Sequence, residues 1–155
     1  YSGFDNAYIQ AIDVSVEIWV RIGSLSGCCG AYWVFGPAWF EMAPNSSTTN
    51  LYVRTGSPAW NPVSGGTNTD QWYCYTMTHG VGTTYKVYID GILNSTFTIG
   101  GTNIQFTHGT GSFATNDPTS PLCLDGDIAV VRMYNRVLTA PEIKSNYNST
   151  KGRFT

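Results

Sequence analysis

Five Trp, ten Tyr and seven Phe supply 14% of this chain of 155 residues. Flat rings stack on the apolar C–H faces of sugars, while nearby Asn, Asp and backbone groups take the hydroxyls. Tyr32, Trp33, Trp39, Tyr52 and Trp60 lie beside Gly, Pro and Asn loops, where a shallow platform of that kind is expected. Trp60, in SPAWNPVSGG, has the least strand-like setting and is the leading candidate for a ligand contact. Packing competes for the same rings. A two-layer fold of this size needs large core residues, and Trp19 and Trp72, inside apolar strand patterns, are assigned to the core.

Other chemistry has less to work with. The three glutamates, Glu17, Glu41 and Glu142, are far apart in sequence. Asp125 and Asp127 share a strand parity but flank Gly126, where a turn role is expected. His79 and His108 end or follow strands, and no Ser sits in a GxSxG context, so no catalytic residue is assigned. Cys28 and Cys29 are adjacent and match no CxxC site. Cys74 and Cys123 are expected to be small core hydrophobes, with a Cys74–Cys123 bridge, or one from the Cys28–Cys29 loop, as alternatives in an oxidising compartment. Three N-x-S/T sequons stand at Asn45, Asn94 and Asn148.

The elements that position these residues are read mainly from strand alternation. Val16, Ile18, Val20 and Ile22 alternate with Glu17, Trp19 and Arg21, which predicts a strand with one face on the core and the other partly wet. WYCYTMTH predicts a second long strand, and Asp90-Gly91 a tight hairpin between YKVYI and ILNSTF. A first strand is expected at 3–10 and short strands at 31–36, 38–42 and 50–55. Loops are expected at 23–30, 56–69 and across most of 100–121. Ala129, Val131 and Met133 oppose Ile128 and Val130, so the strand beginning near Gly126 reads as apolar on both faces and therefore central. After it, Thr139 and Glu142 have capping-box spacing and Pro141 falls in the first turn. Leu138 can staple onto Ile143, and Ile143 with Tyr147 gives one apolar stripe. Many short strands and one terminal helix predict an all-β chain: an antiparallel β-sandwich of jelly-roll type with a short C-terminal helix.

Composition narrows the partners. Charged residues are only 12% of the chain and the net charge is −2. With no Lys or Arg cluster, nucleic acid and anionic membranes are not expected as partners. No apolar run approaches the ~18 residues that span a bilayer. The chain is read as one domain, 1–155, of a longer protein or assembly, because it opens on Tyr1 rather than Met.

GDIAVVRMYNRVLTAPEIKSNYNSTKGRF resembles the closing strand and C-terminal helix of laminin-G-like domains in the concanavalin A-like lectin/glucanase superfamily. SVEIWVRI, DQWYCYTMTHG and YKVYIDGILNSTF are similar, in order, to that family's early strand, tryptophan-led central strand and hairpin. The superfamily mixes lectins, adhesion modules and hydrolases. Its hydrolases use carboxylates two and four residues apart on one strand, a pattern missing here, so the resemblance implies no hydrolysis. It also implies a calcium where an aspartate on the closing strand meets the N-terminal loop. Ala129 occupies that position, which leaves Asp5, Asn6, Asn116, Asp117, Asp125 and Asp127 as the oxygens for Ca2+. EIKSNYNSTKGRF is similar to domains recurring in phage virion proteins. The function so implied is a non-catalytic, lectin-like carbohydrate-binding module on a virion or extracellular surface, with glycans as partners. The alternatives are a decoration domain touching neighbouring virion subunits and, last, a glycoside hydrolase.

Overall fold

The alternating run VSVEIWVRI folds as β1 (Val14–Ile22). The computed structural model containing it describes residues 13–23, 33–35, 40–44, 51–55, 60–66, 68–80, 84–98, 112–113 and 126–154. At 33–35, 40–44, 51–55, 60–62 and 112–113 the description is of the backbone. The remaining strands are β2 (Trp33–Phe35), β3 (Phe40–Pro44), β4 (Leu51–Thr55), β5 (Trp60–Val63), β6 (Trp72–His79), β7 (Thr84–Ile89), β8 (Ile92–Thr98), β9 (Ser112–Phe113) and β10 (Gly126–Tyr134). They make two five-stranded antiparallel sheets, ordered β10-β1-β6-β7-β8 and β5-β4-β3-β2-β9. Helix α1 (Ala140–Thr150) and a 3-10 turn (Lys151–Arg153) follow. The expected strand at 3–10 and most of the loops at 23–30 and 100–121 lie outside the described residues.

Between the sheets, one face of β1 meets the matching faces of β6 and β7. Val16, Ile18, Val20, Tyr75, Met77 and Val87 are all essentially sealed, and Val63 of the second sheet joins the same cluster. Each such aliphatic side chain contributes about 1.5–3 kcal/mol by leaving water. The predicted hairpin forms as read. Asp90 and Gly91 take φ of 53° and 74°, the left-handed pair a two-residue turn requires. Gly91 is also needed for space: a Cβ there would stand 3.2 Å from the Lys144 Cα of the helix lying on the turn.

Three expectations are corrected. The strand read as central, β10, lies at the edge of its sheet among the described residues, with Val131 and Met133 36% and 37% exposed. Its doubly apolar pattern has another cause. The register against β1 shifts between Trp19 and Val20, so Val130 pairs with Trp19 while Ile128 pairs with Val20. Ala129 is the extra residue, and a bulge of this kind returns Ile128 and Val131 to one face although they are three apart. The strand begins close against its neighbour, since a Cβ on Gly126 would collide with the Arg21 carbonyl oxygen.

The second correction concerns β1 itself. Its polar-parity face is drier than expected: Ser15 and Glu17 are fully buried and Trp19 is 2% exposed, because α1 packs across that side, while Arg21 at the far end stays exposed. Thirdly, Trp60–Val63 is a strand and not irregular loop; Pro62 is tolerated because β5 is at a sheet edge among the described residues.

The helix starts where its cap dictates. The Thr139 hydroxyl accepts from the Glu142 amide, and the Glu142 carboxylate accepts from the Thr139 amide at 2.8 Å. Leu138 and Ile143 are buried together with Tyr88, which docks the first turn onto the outer face of the sheet. Polar ties continue the attachment. Ser15 Oγ donates to the Arg136 carbonyl at 2.8 Å and accepts from the Leu138 amide at 2.9 Å. The buried Glu17 carboxylate pairs with the Arg132 guanidinium and accepts from the Asn146 amide at 3.2 Å. Arg132 also donates to Thr150 Oγ1 at 3.1 Å, near the end of the helix.

Candidate functional site

At one end of that outer face, sheet and helix do not close. A cleft of about 330 Å³ remains, lined by Trp19, Asp70, Gln71, Trp72, Asp90, Tyr147, Lys151 and Phe154. Four elements converge on it: β1, the start of β6, the β7–β8 turn and the end of the helix with its 3-10 extension. The capping box sets the phase of α1, and Gly91 lets it lie on the turn, so Tyr147 comes to rest over Trp19. Their rings are parallel within 4° at 5.6 Å. Phe154, held by its amide donating to the Lys151 carbonyl at 3.0 Å, lies 4.6 Å from Trp19 and 4.9 Å from Trp72, centroid to centroid.

Polar groups punctuate this aromatic lining. The Asp70 amide donates to the Ile22 carbonyl at 2.7 Å. Asp90 Oδ1 accepts from the Cys74 amide at 2.9 Å, and burial raises the carboxyl's pKa above its ordinary value against the pull of that bond and of Lys144. Lys151 and Lys144 lie over the Tyr147 ring at 5.5 and 5.0 Å. Arg21 lies 5.7 Å from the Trp72 centroid and donates to Asp127. Trp19 carries an oddity: its indole N–H is buried and has no hydrogen-bond partner among the described residues. Rings beside hydroxyl-sized acceptors and one unsatisfied donor suit an uncharged polar molecule with apolar faces.

Other chemically able groups among the described residues are committed elsewhere. Cys74 is a free thiol, 1% exposed, whose pKa burial pushes up, with the nearby Glu17 charge adding to the effect. Such a thiol is inert. His79 is 3% exposed and stacks on Tyr85 at 4.2 Å, and burial holds its pKa below the ordinary 6.5. Cys28, Cys29 and Cys123 lie outside the described residues.

Of the residues proposed from sequence, Trp60, Tyr52 and Trp33 fall on three strands of the second sheet, and Tyr32 and Trp39 lie outside the described residues. Trp60 pairs with Arg54, and Tyr52 is two residues from Arg54, so Trp60 and Tyr52 share one side of the pleat. Trp33 pairs with Met42 and Met42 with Val53, which places Trp33 on the opposite side. Asp127 belongs to β10 instead of a turn, and its carboxylate accepts from Arg21 at 2.6 Å. Ala129 has no side-chain oxygen, and no three His, Cys, Asp or Glu side chains converge among the described residues. Asp5, Asn6, Asn116, Asp117 and Asp125 lie outside them.

Trp72, assigned to the core from sequence, is only half-buried and lies beside Trp19 on the sheet side of the cleft. Trp19 is buried, but beneath the helix and not between the sheets. The available signal was its parity: it shares a face with Glu17 and Arg21, not with Val16 and Ile18.

Two facing antiparallel sheets with a helix laid on the outside define a lectin-type β-sandwich. The chain belongs to the concanavalin A-like lectin/glucanases superfamily, whose laminin-G-type family model matches residues 2–144. Among solved structures it is similar to domain 4 of AbnA, a GH43 extracellular arabinanase from Geobacillus stearothermophilus, in complex with arabinotriose. That likeness has a TM-score of 0.75 at 19% identity and covers 92% of this chain and 70% of that one. A candidate carbohydrate-binding protein from Bacteroides ovatus gives 0.73 at 12% identity, over 92% of this chain and 43% of that one. Trypanosoma rangeli sialidase gives 0.68 at 16% identity, over 90% of this chain and 23% of that one. The chain thus spans less than half the length of the latter two. These likenesses establish the fold. No curated protein matches the sequence. No helix of the described residues is long and apolar enough to cross a membrane.

Proposed function

We propose that this domain is a non-catalytic, lectin-like carbohydrate-binding module, presented on a virion or other extracellular surface. The observation that carries the reading is the cleft between sheet and helix, where Trp72 and Phe154 offer ring faces beside the hydrogen-bonding groups of Asp70, Gln71 and Asp90. Support comes also from the fold's likeness to an arabinanase domain solved with arabinotriose. The virion setting is supported by the similarity of EIKSNYNSTKGRF to phage virion domains. Trp60 and Tyr52, placed by the register on one side of the second sheet, mark the second place to look for sugar.

A glycan array read with the parent chain, Trp72→Ala and Trp60→Ala tests this. The expected result is saccharide binding by the parent, weakened about tenfold or more by Trp72→Ala, the scale of losing a central aromatic contact. Loss in Trp60→Ala alone would move the site to the second sheet. No binding by the folded parent would sink the reading in favour of a decoration domain, for which the exposed Val131 and Met133 on the β10 edge offer contact surface. Turnover of any bound glycan would replace a module with an enzyme.

A further inference from the structure

Tyr147, Lys151 and Phe154, which form one wall of the cleft, lie beyond residue 144, where the family match ends. The dimensions and charges of the cleft bear on what it can hold. A cleft of about 330 Å³ is at the small end of ligand-sized sites and has room for one or two sugar rings.

Charge restricts the ligand further. Two carboxylates, Asp70 and Asp90, line the cleft against one cation, Lys151, which lies over the Tyr147 ring. The neighbouring cations are engaged: Arg21 by Asp127 and the Trp72 face, and Lys144 by the Asp90 carbonyl at 3.4 Å. A sugar hydroxyl can donate to Asp70 or Asp90, whereas a sugar carboxylate would meet like charge there. The Trp19 indole N–H, on a side chain 2% exposed, has no partner among the described residues, and a buried donor of this kind calls for an acceptor.

We infer that the cleft is selective for one or two uncharged sugar units, with Trp19 donating to a sugar oxygen, Asp70 and Asp90 accepting from hydroxyls, and Trp72 and Phe154 covering ring faces. This rests on reading the cleft as the sugar site.

The test is a titration of the 15N-labelled chain with neutral arabino-, gluco- and galacto-oligosaccharides of one to four units, and with galacturonate oligomers of the same lengths. The five tryptophan indole N–H signals are followed, with Trp19 and Trp72 assigned through Trp19→Phe and Trp72→Phe. Supporting results are movement of the Trp19 and Trp72 signals, affinity that stops rising after two units, and galacturonate binding at least tenfold weaker. Trp19→Phe keeps a ring but loses the donor, and should weaken neutral binding about three- to tenfold. Should that variant fail to fold, Asp70→Asn serves, since Asn adopts the φ of 60° found at Asp70. It should narrow the gap between neutral and acidic sugars at least threefold. Cleft binding with affinity still climbing at four units, or with galacturonate as tight as neutral sugar, overturns the selectivity while leaving the module intact. Sugar that shifts only other tryptophans overturns the location. No sugar binding at all overturns the module on which the inference stands.

Discussion

The two faces of the first sheet are both buried, yet they are built differently. The inner face is aliphatic and aromatic save for the buried His79 at one end, and Val16, Ile18, Val20 and Met77 have no polar obligations to meet. The outer face buries Ser15, Glu17, Thr76 and Thr78 beneath the helix and leaves a cleft at one end. Apolar contact is tolerant of detail, whereas buried polar groups fix a single arrangement or cost heavily. The inner face thus holds the sandwich together, and the outer face decides where the helix, and with it the cleft wall, is placed.

The sharpest way to break this contrast is to damage each face separately. Ile18→Ala on the inner face should cost about 4 kcal/mol and lower Tm by about 10 °C, measured by calorimetry. Binding by the chain that remains folded should be unchanged. Arg132→Leu on the outer face should cost about 3 kcal/mol, because it leaves the fully buried Glu17 carboxylate without its cation. Arg132 is itself 33% exposed, which keeps the figure below that of a wholly enclosed pair. Glu17→Met combined with Arg132→Leu should recover most of that loss, since no uncompensated charge is then left. Unlike Ile18→Ala, Arg132→Leu should also weaken sugar binding below the melting transition, by freeing the end of the helix. Equal effects of both substitutions on binding would erase the distinction.

The same contrast explains what could be read in advance. Strand alternation in β1, the Asp90-Gly91 turn and the Thr139–Glu142 cap are local patterns, and each formed as its residues dictate. Ala129 was not legible because a bulge changes parity without changing composition. Pro62 argued for a loop around Trp60, and the edge position that accommodates it depends on strand order, which no single stretch of sequence encodes. The cleft is the extreme case. Its lining spans positions 19, 70–72, 90, 147, 151 and 154, brought together by the docking of the helix on the turn at Gly91. Local pattern sees only a tryptophan on the polar parity of a strand.

The smallest expected effect lies where the outer layer is fastened at the surface. Glu142 accepts from Arg136 at 2.8 Å and from the Thr139 amide, and these bonds, the arginine's first, hold its pKa down to about 2 from an ordinary 4.5. As pH falls below about 4.5 the unfolded chain takes up this proton before the folded one does, so the unfolded state gains. The stability that the cap contributes is whole above that value and is lost progressively as pH falls towards about 2. Glu142→Gln should therefore flatten the stability profile of denaturant melts between those limits. Thr139→Ala should cost about 1 kcal/mol at neutral pH, the usual worth of an N-cap side chain. Both should leave the inner-face core untouched. An unchanged acid profile in Glu142→Gln would mean that the outer layer is secured by the buried Glu17–Arg132 tie and the Leu138–Ile143 contact alone.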